Sequence, residues 1–134
     1  MVLRKSPFPE FERKGPPKEK KAKRSEADIQ KEILEWLNIQ PFTFAFRTNN
    51  IGVPLKNGGF RKSPTPGLSD LICSHKGRFM AIEVKTPKGK TTEDQEKFLK
   101  CCRATKSIGC VVTSVDDIIT VLKELDDSIE KDLI

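Results

Sequence analysis

Residues 70–85 read DLICSHKGRFMAIEVK, a stretch that opens with an acid and closes with Glu-x-Lys inside an apolar run. The apolar run, residues 79–85, has the composition of a buried strand, and a Lys-Gly pair before it predicts a tight turn from a preceding short strand. Side chains at i and i+2 share one face of a strand, so Glu83 and Lys85 point the same way, roughly 7 Å apart along it. The stretch therefore predicts a hairpin that carries charges into an apolar interior, with Asp70 at its start.

Burying such charges is costly unless they pair with one another, with a metal ion or with a substrate. Two carboxylates and an ammonium that converge can hold a divalent metal and orient a water beside a phosphodiester, which points to a nuclease. A purely structural interpretation is a buried ion pair between Glu83 and Lys85, or charges at the rim of a strand end. A second Glu-x-Lys, residues 19–21, has no strand around it to fix its geometry.

The elements around this hairpin predict an α/β domain over residues 25–134. Ser25 with an acid three residues later, and Thr92 with Gln95 three residues later, have the pattern of capping boxes at helix starts. A strand at Phe42–Phe46, a small hairpin around residues 57–59 and a last strand at 110–113 complete the pattern. The predicted order is α-β-β-β-α-β-α, a mixed sheet with helices on it. We expect Trp36 and the phenylalanines of the first strand in the core.

The charge of the chain is concentrated at one end. Residues 1–24 hold nine basic and three acidic residues, which equals the +6 of the whole chain, so residues 25–134 are neutral. This Pro- and Lys-rich segment cannot bury enough apolar surface to fold alone, and we expect a flexible tail. A basic tail favours polyanions. It is equally consistent with a solubilising leader.

Other functional classes are disfavoured by composition. No apolar stretch is long enough to span a bilayer, and no signal-peptide pattern is present, so we expect no membrane association and a cytoplasmic location in a bacterial or phage-infected cell. The four cysteines show no zinc spacing and are interpreted as reduced core residues. The single histidine, His75, lies beside the predicted turn and is interpreted as a surface residue.

These motifs carry a family resemblance. Gly67-Leu68-Ser69-Asp70-Leu71, Ala81-Ile82-Glu83-Val84-Lys85-Thr86-Pro87 and the following Gln95 resemble the VRR-NUC branch of the PD-(D/E)XK nuclease superfamily over about residues 26–125. Ser69 stands where the family often has proline. The resemblance implies a restriction-endonuclease-like αβββαβ core. It also implies a metal-dependent DNA endonuclease, similar to Holliday-junction resolvases that act as homodimers.

The resemblance also implies roles for individual residues. Asp70 and Glu83, with the main-chain carbonyl of Val84, would ligate Mg²⁺ or Mn²⁺, and hard oxygen donors fit these ions better than zinc. Lys85 would position or activate the attacking water, and Gln95 would orient that water or Lys85. Glu32 matches an acid of the first helix as an outer or second-metal ligand. Helical spacing alone places Glu32 at the edge of the apolar stripe, its carboxylate in water.

Candidate DNA contacts lie between the first strand and Asp70. Arg and Asn side chains donate to phosphate oxygens at the mouth of such a site, and the lysines are equally consistent with solvated loop polarity. These candidates are Arg47, Asn49, Lys56, Arg61 and Lys62. The leading hypothesis is a structure-selective endonuclease that is paired about a two-fold axis, because one small domain has one site. The alternatives are a non-catalytic nucleic-acid-binding module and a nicking or restriction-type endonuclease.

Overall fold

The computed structural model describes residues 24–49 and 52–132. In these ranges the elements follow in the order α1 (Glu26–Asn38), β1 (Thr43–Arg47), β2 (Val53–Pro54), β3 (Phe60–Arg61), β4 (Leu71–His75), β5 (Arg78–Val84), α2 (Glu93–Ala104), β6 (Ile108–Val112) and α3 (Val115–Asp132). With the two-residue strands of the β2–β3 hairpin set apart, this is the predicted order. The predicted basic tail lies outside the described residues, apart from Arg24.

The described strands form a mixed sheet in the order β1-β4-β5-β6, and β2 pairs with β3 separately. β4 pairs antiparallel with both β1 and β5, whereas β5 and β6 are parallel. A hairpin joins β4 to β5, and α2 is the crossover that parallel neighbours require. The predicted α/β fold with a mixed central sheet is confirmed.

Helices cover the sheet unequally. α1 and α3 enclose the main core with one face of the sheet, where Ile33, Leu71, Ile82 and Ile118 have no exposed surface. On the other face α2 packs on β5 and β6, and its Leu99 lies against Gly109, where an added Cβ would stand 2.9 Å from the Leu99 carbonyl oxygen. The part of this face that β1 forms is therefore not covered by α2.

Both predicted capping boxes are formed. The Ser25 hydroxyl accepts from the Asp28 N–H while the Asp28 carboxylate accepts from the Ser25 N–H, and Thr92 and Gln95 exchange the same two bonds. Each pair satisfies amide groups that the first turn of a helix leaves without a partner. The start of α2 is thereby fixed by a residue that also belongs to the candidate site.

Several predicted environments were wrong. Phe42, Phe44 and Phe46 are not core residues, since they are 82%, 65% and 45% exposed. Phe42 precedes β1, and α2 packs on β5 and β6 rather than on the face of the edge strand β1 that carries Phe44 and Phe46. His75 is not a surface residue: it is 2% exposed and held between Thr43 and Asp126.

The predicted core position of Trp36 is confirmed, since it packs partly buried against the main core. All four cysteines are free thiols; Cys73 and Cys102 are buried, but Cys101 is exposed. Among the described helices, none combines the length and the apolar character that crossing a membrane requires.

Candidate active site

The described residues that carry the site meet where β4 begins and β5 ends. Leu71 of β4 pairs with Ile82 of β5, so Asp70, one residue earlier, stands opposite Glu83. The Asp70 Oδ2 accepts the Val84 N–H at 2.8 Å. Through this bond the carboxylate of Asp70 is fixed against the backbone of β5, next to the Glu83 side chain.

Gly67 explains how the loop before β4 reaches this position. Its φ of +74° favours glycine, and a Cβ there would stand 2.1 Å from the carbonyl oxygen of Asp94 in the first turn of α2. Only a residue without a side chain lets the loop lie against that helix turn. Close packing at Gly67 therefore places Asp70 and the neighbouring Gln95 on two sides of one cleft.

Glu83 is the most unusual group in the site, because its carboxyl group is buried with few hydrogen-bond partners. The side chain is 1% exposed, and Oε2 has no hydrogen-bond partner among the described residues. Burial, together with the negative charge of the neighbouring Asp70, raises the pKa of Glu83 to about 8. A carboxyl group in this position favours either a proton or a cation.

Lys85 and Gln95 surround the other oxygen of Glu83. The Gln95 Nε2 donates to Glu83 Oε1 at 2.9 Å, and Lys85 Nζ lies 3.7 Å from the same atom. The positive charge of Lys85 lowers the pKa of Glu83 and so offsets part of the effect of burial. The Lys85 side chain is 12% exposed, so most of it is enclosed by the protein. As expected for i and i+2, both charges lie on one face of β5.

A cleft of about 400 Å³ opens beside Asp70. Its lining includes Arg47, Asn49, Asp70 and Gln95, so two of the candidate DNA contacts share this cleft with Asp70, and their binding of DNA stays a prediction. Gln30 of α1 also lines it and was not among the predicted site residues. Its position one helical turn after Glu26, on the same face of α1, is the sequence signal that could have found it.

The other candidate DNA contacts lie elsewhere. Lys56, Arg61 and Lys62 are exposed on the β2–β3 hairpin and the residue after it, and they are not among the residues that line the described cleft. Their role as phosphate contacts stays a prediction.

The structure places Glu32 away from the other predicted site residues. Its carboxylate pairs with Arg24, is 47% exposed and faces a different surface depression, formed with Asp28, Lys31 and Glu35. Glu26 is the acid of α1 whose charge acts on Glu83. It raises the pKa of Glu83, although less than burial and the charge and hydrogen bond of Asp70 do. At 100° per residue, Glu32 lies on the side of α1 opposite Gln30, whereas Glu26 lies beside it.

The chemistry of the acids fits a divalent cation, although no three His, Cys, Asp or Glu side chains of the described residues already form a closed set of ligands. The orphaned, buried Oε2 of Glu83 and the neighbouring carboxylate of Asp70 are hard oxygen donors that repel each other. A cation between them would relieve that repulsion and supply the missing partner.

Comparison with known proteins bears on the fold. No family model matches the sequence, and no curated protein matches it. A solved structure described as a VRR_NUC domain protein is similar in fold, with a TM-score of 0.57 and 18% identity, over 76% of this chain and 88% of that one. The chain therefore has a VRR-NUC-like fold.

Proposed function

We propose that this chain is a metal-dependent endonuclease that hydrolyses phosphodiester bonds in DNA. The observation that carries the proposal is the buried Glu83 carboxyl, whose Oε2 has no partner among the described residues while Asp70, Lys85 and Gln95 surround it. A fold has no need to bury an acid so incompletely satisfied, because doing so costs stability. Such strain is characteristic of sites that bind a ligand or perform chemistry.

The proposed roles follow from the positions of the side chains. Asp70 and Glu83, with the main-chain carbonyl of Val84, would hold Mg²⁺ or Mn²⁺, and Glu26 adds negative charge nearby. When bound, the ion would polarise the phosphate and lower the pKa of a water. Lys85 is a fixed cation that orients the attacking water and stabilises charge developing on the phosphate. Gln95 holds the Glu83 carboxylate in place through its Nε2.

The residues that line the cleft support DNA as the substrate. Arg47 and Asn49 line it together with Asp70, and both can donate to phosphate oxygens of a strand bound there. We propose that cleavage is structure-selective, as in Holliday-junction resolvases, and that a homodimer supplies the second site needed to cut two symmetric strands. A nicking or restriction-type endonuclease would use the same residues on a different DNA.

A non-catalytic nucleic-acid-binding module is the second candidate, and one contact favours it. The 3.7 Å approach of Lys85 to Glu83 is also what a structural ion pair would show. A structural pair, however, would leave the buried second oxygen of Glu83 without a hydrogen-bond partner among the described residues. The two candidates differ in whether DNA is cut.

One experiment separates them. The full chain is incubated with labelled four-way junction, flap, single-stranded and duplex DNA, with Mg²⁺, Mn²⁺ or EDTA. The proposal predicts cleavage with either ion, none with EDTA, and faster cleavage of branched DNA. Binding to every DNA without cleavage of any would support the binding module, and equal cutting of all DNAs would support the less selective endonuclease.

A further inference from the structure

The uncovered part of the sheet is an aromatic surface that begins at the candidate active site. In the register of the sheet, Phe46 stands opposite Ile72, and Phe44 stands opposite Ser74. Alternate residues of a strand share a face, so Ile72 and Ser74 lie on the same face of β4 as Asp70. Phe46 and Phe44 therefore lie on the face of the sheet that holds the acids.

The distances follow from strand geometry. The Thr48 N–H donates to the Asp70 carbonyl, which continues the β1–β4 ladder by one row past Arg47. Phe46 is thus about 7 Å, and Phe44 about 14 Å, along β1 from the row of Asp70. The two rings are neighbours, with centroids 5.8 Å apart and planes inclined at 44°. We call the surface formed by Phe44, Phe46 and the exposed Ser74 the aromatic strip.

No described element covers the aromatic strip. α2 packs on β5 and β6 and buries Ala81, and Ile72 and Phe98 form the partly buried margin of that contact. Phe44 and Phe46, one strand further out, keep 65% and 45% of their surface exposed. Burying these rings within the fold would be favourable. Two neighbouring rings that stay exposed therefore indicate a binding surface.

We propose that the aromatic strip binds unpaired nucleotides next to the scissile phosphate, their bases stacking on Phe46 and Phe44. This inference rests on the proposed nuclease function and adds a substrate class to it: DNA with a single-stranded segment at the cleavage site. Rings in a row beside a groove that holds phosphate are the arrangement by which proteins bind single strands without sequence preference.

Charge and continuity favour nucleic acid over a protein partner. β1 runs from both rings to Thr48, which stands in the row of Asp70 on the same face and lines the cleft with it, so a nucleic-acid strand could pass from ring to ring into the site. The exposed Arg47 also lines this cleft, from the other face of β1. Residues 25–134 carry no net charge, so the attraction to a polyanion comes from the +6 of residues 1–24 and, at the cleft itself, from Arg47.

The backbone of β1 also opposes strand addition by a second copy. Asn38 of α1 donates to the Ala45 carbonyl at 3.0 Å and accepts the Ala45 N–H at 2.9 Å. These are the groups that an added strand would need, and one side chain occupies both of them. The face of β1 is open, whereas the middle of its edge is blocked.

The test measures single-strand binding separately from cleavage. In EDTA, fluorescence anisotropy of labelled oligo(dT) is followed for the full chain and for its Phe44→Leu/Phe46→Leu variant. Leucine keeps an apolar side chain but removes the stacking surface, so we expect affinity for oligo(dT) to fall about tenfold or more while binding of blunt duplex is unchanged. Ile119→Ala, an exposed apolar residue of α3, is the matched control and should change neither.

A second variant distinguishes the loss of a stacking surface from a folding defect. Phe46→Trp keeps the stacking surface, so it should bind oligo(dT) at least as tightly as the unmodified chain and show quenched emission on binding, beyond any change from Trp36. Unchanged oligo(dT) affinity in the double leucine variant would overturn the inference. A dimer that becomes a monomer in that variant would overturn it as well, because the strip would then belong to a second copy.

The same variants separate this inference from the nuclease proposal. If Lys85→Ala abolishes cleavage but the leucine variant binds single strands normally, only the aromatic strip has been misassigned. If Lys85→Ala cuts normally, the nuclease mechanism fails whatever the strip binds. If both hold, the leucine variant should lose the preference for a splayed end over blunt duplex in Mg²⁺.

Discussion

The Nε2 of Gln95 lies 2.9 Å from Oε1 of Glu83, and the Oε1 of the same Gln95 accepts the Thr92 N–H at 2.8 Å. One side chain thus caps a helix and positions the buried acid. The start of α2 and the end of β5 are coupled through this residue, so the geometry of the acid depends on a helix cap.

Gln95→Ala should therefore have two effects. Loss of the capping box should lower the free energy of unfolding by about 1 kcal/mol. Loss of the donor to Glu83 should also slow cleavage at saturating DNA. Asp28→Ala, at the equivalent position of the α1 cap, is the matched control and should cost similar stability without slowing cleavage. Equal slowing in both variants would show that activity follows stability alone.

Glu83→Gln should change how stability depends on pH in EDTA. Burial, with the charge of Asp70, raises the pKa of Glu83 from 4.5 to about 8, so between these values the folded chain keeps a proton that the unfolded chain has lost. Stability from this group is therefore present at low pH and falls as pH rises through that window. Urea unfolding should show Glu83→Gln to be more stable than the unmodified chain, by on the order of a few kcal/mol, at the upper end.

Added Mg²⁺ should reverse the order of stability of Glu83→Gln and the unmodified chain. Binding to the folded state alone stabilises it, so the unmodified chain should gain stability with added Mg²⁺ while Glu83→Gln gains much less. An identical gain in the two proteins would place the cation elsewhere. Glu130→Gln, an exposed acid of α3, should behave like the unmodified chain throughout.

Glu26 and Glu32 give a direct comparison of two acids on one helix. Because the charge of Glu26 acts on Glu83 and Glu32 pairs with Arg24, Glu26→Gln should raise the Mg²⁺ concentration for half-maximal cleavage, by about tenfold or more. Glu32→Gln should leave it unchanged. The opposite result in a Mg²⁺ titration of the cleavage rate would show that Glu32, and not Glu26, is the acid of α1 that contributes to metal binding.

Asp126 should stabilise the fold through the buried His75. The hydrogen bond from His75 lowers the pKa of Asp126, so this stability is present at neutral pH and is lost as pH falls through the folded pKa. Asp126→Asn should cost about 1–3 kcal/mol at neutral pH, because the charged partner of a buried group is lost. The same change should flatten the acid limb of the stability curve. Asp132→Asn, whose pair with Arg78 is exposed, should cost less than about 1 kcal/mol.

How far the sequence predicts this molecule depends on whether the signal is local. The capping boxes at Ser25 and Thr92 and the hairpin from Asp70 to Lys85 are set by neighbouring residues, and the structure has them as predicted. The alternation at Phe44 and Phe46 predicts a strand but cannot say which face a helix covers. That depends on α2, about fifty residues later, which packs on β5 and β6 instead.

The sequence does not show which acid of the first helix lies near Glu83, for a similar reason. The apolar spacing around Ile29 and Ile33 fixes which side of α1 is buried, but not which flank faces the end of the sheet. That orientation is set by where β4 and β5 bring Asp70 and Glu83. It selects Glu26 and Gln30 over Glu32.

The most direct test of the central claim is the cleavage rate of Lys85→Ala at saturating junction DNA with Mg²⁺, with DNA affinity measured in parallel. Lys97→Ala, an exposed lysine of α2, is the control. Lys85→Ala should lower the rate about a hundred- to a thousandfold while affinity is retained, because the fixed cation acts on charge that develops during the reaction. Unchanged cleavage by Lys85→Ala would rule out this role for Lys85 and with it the proposed nuclease mechanism.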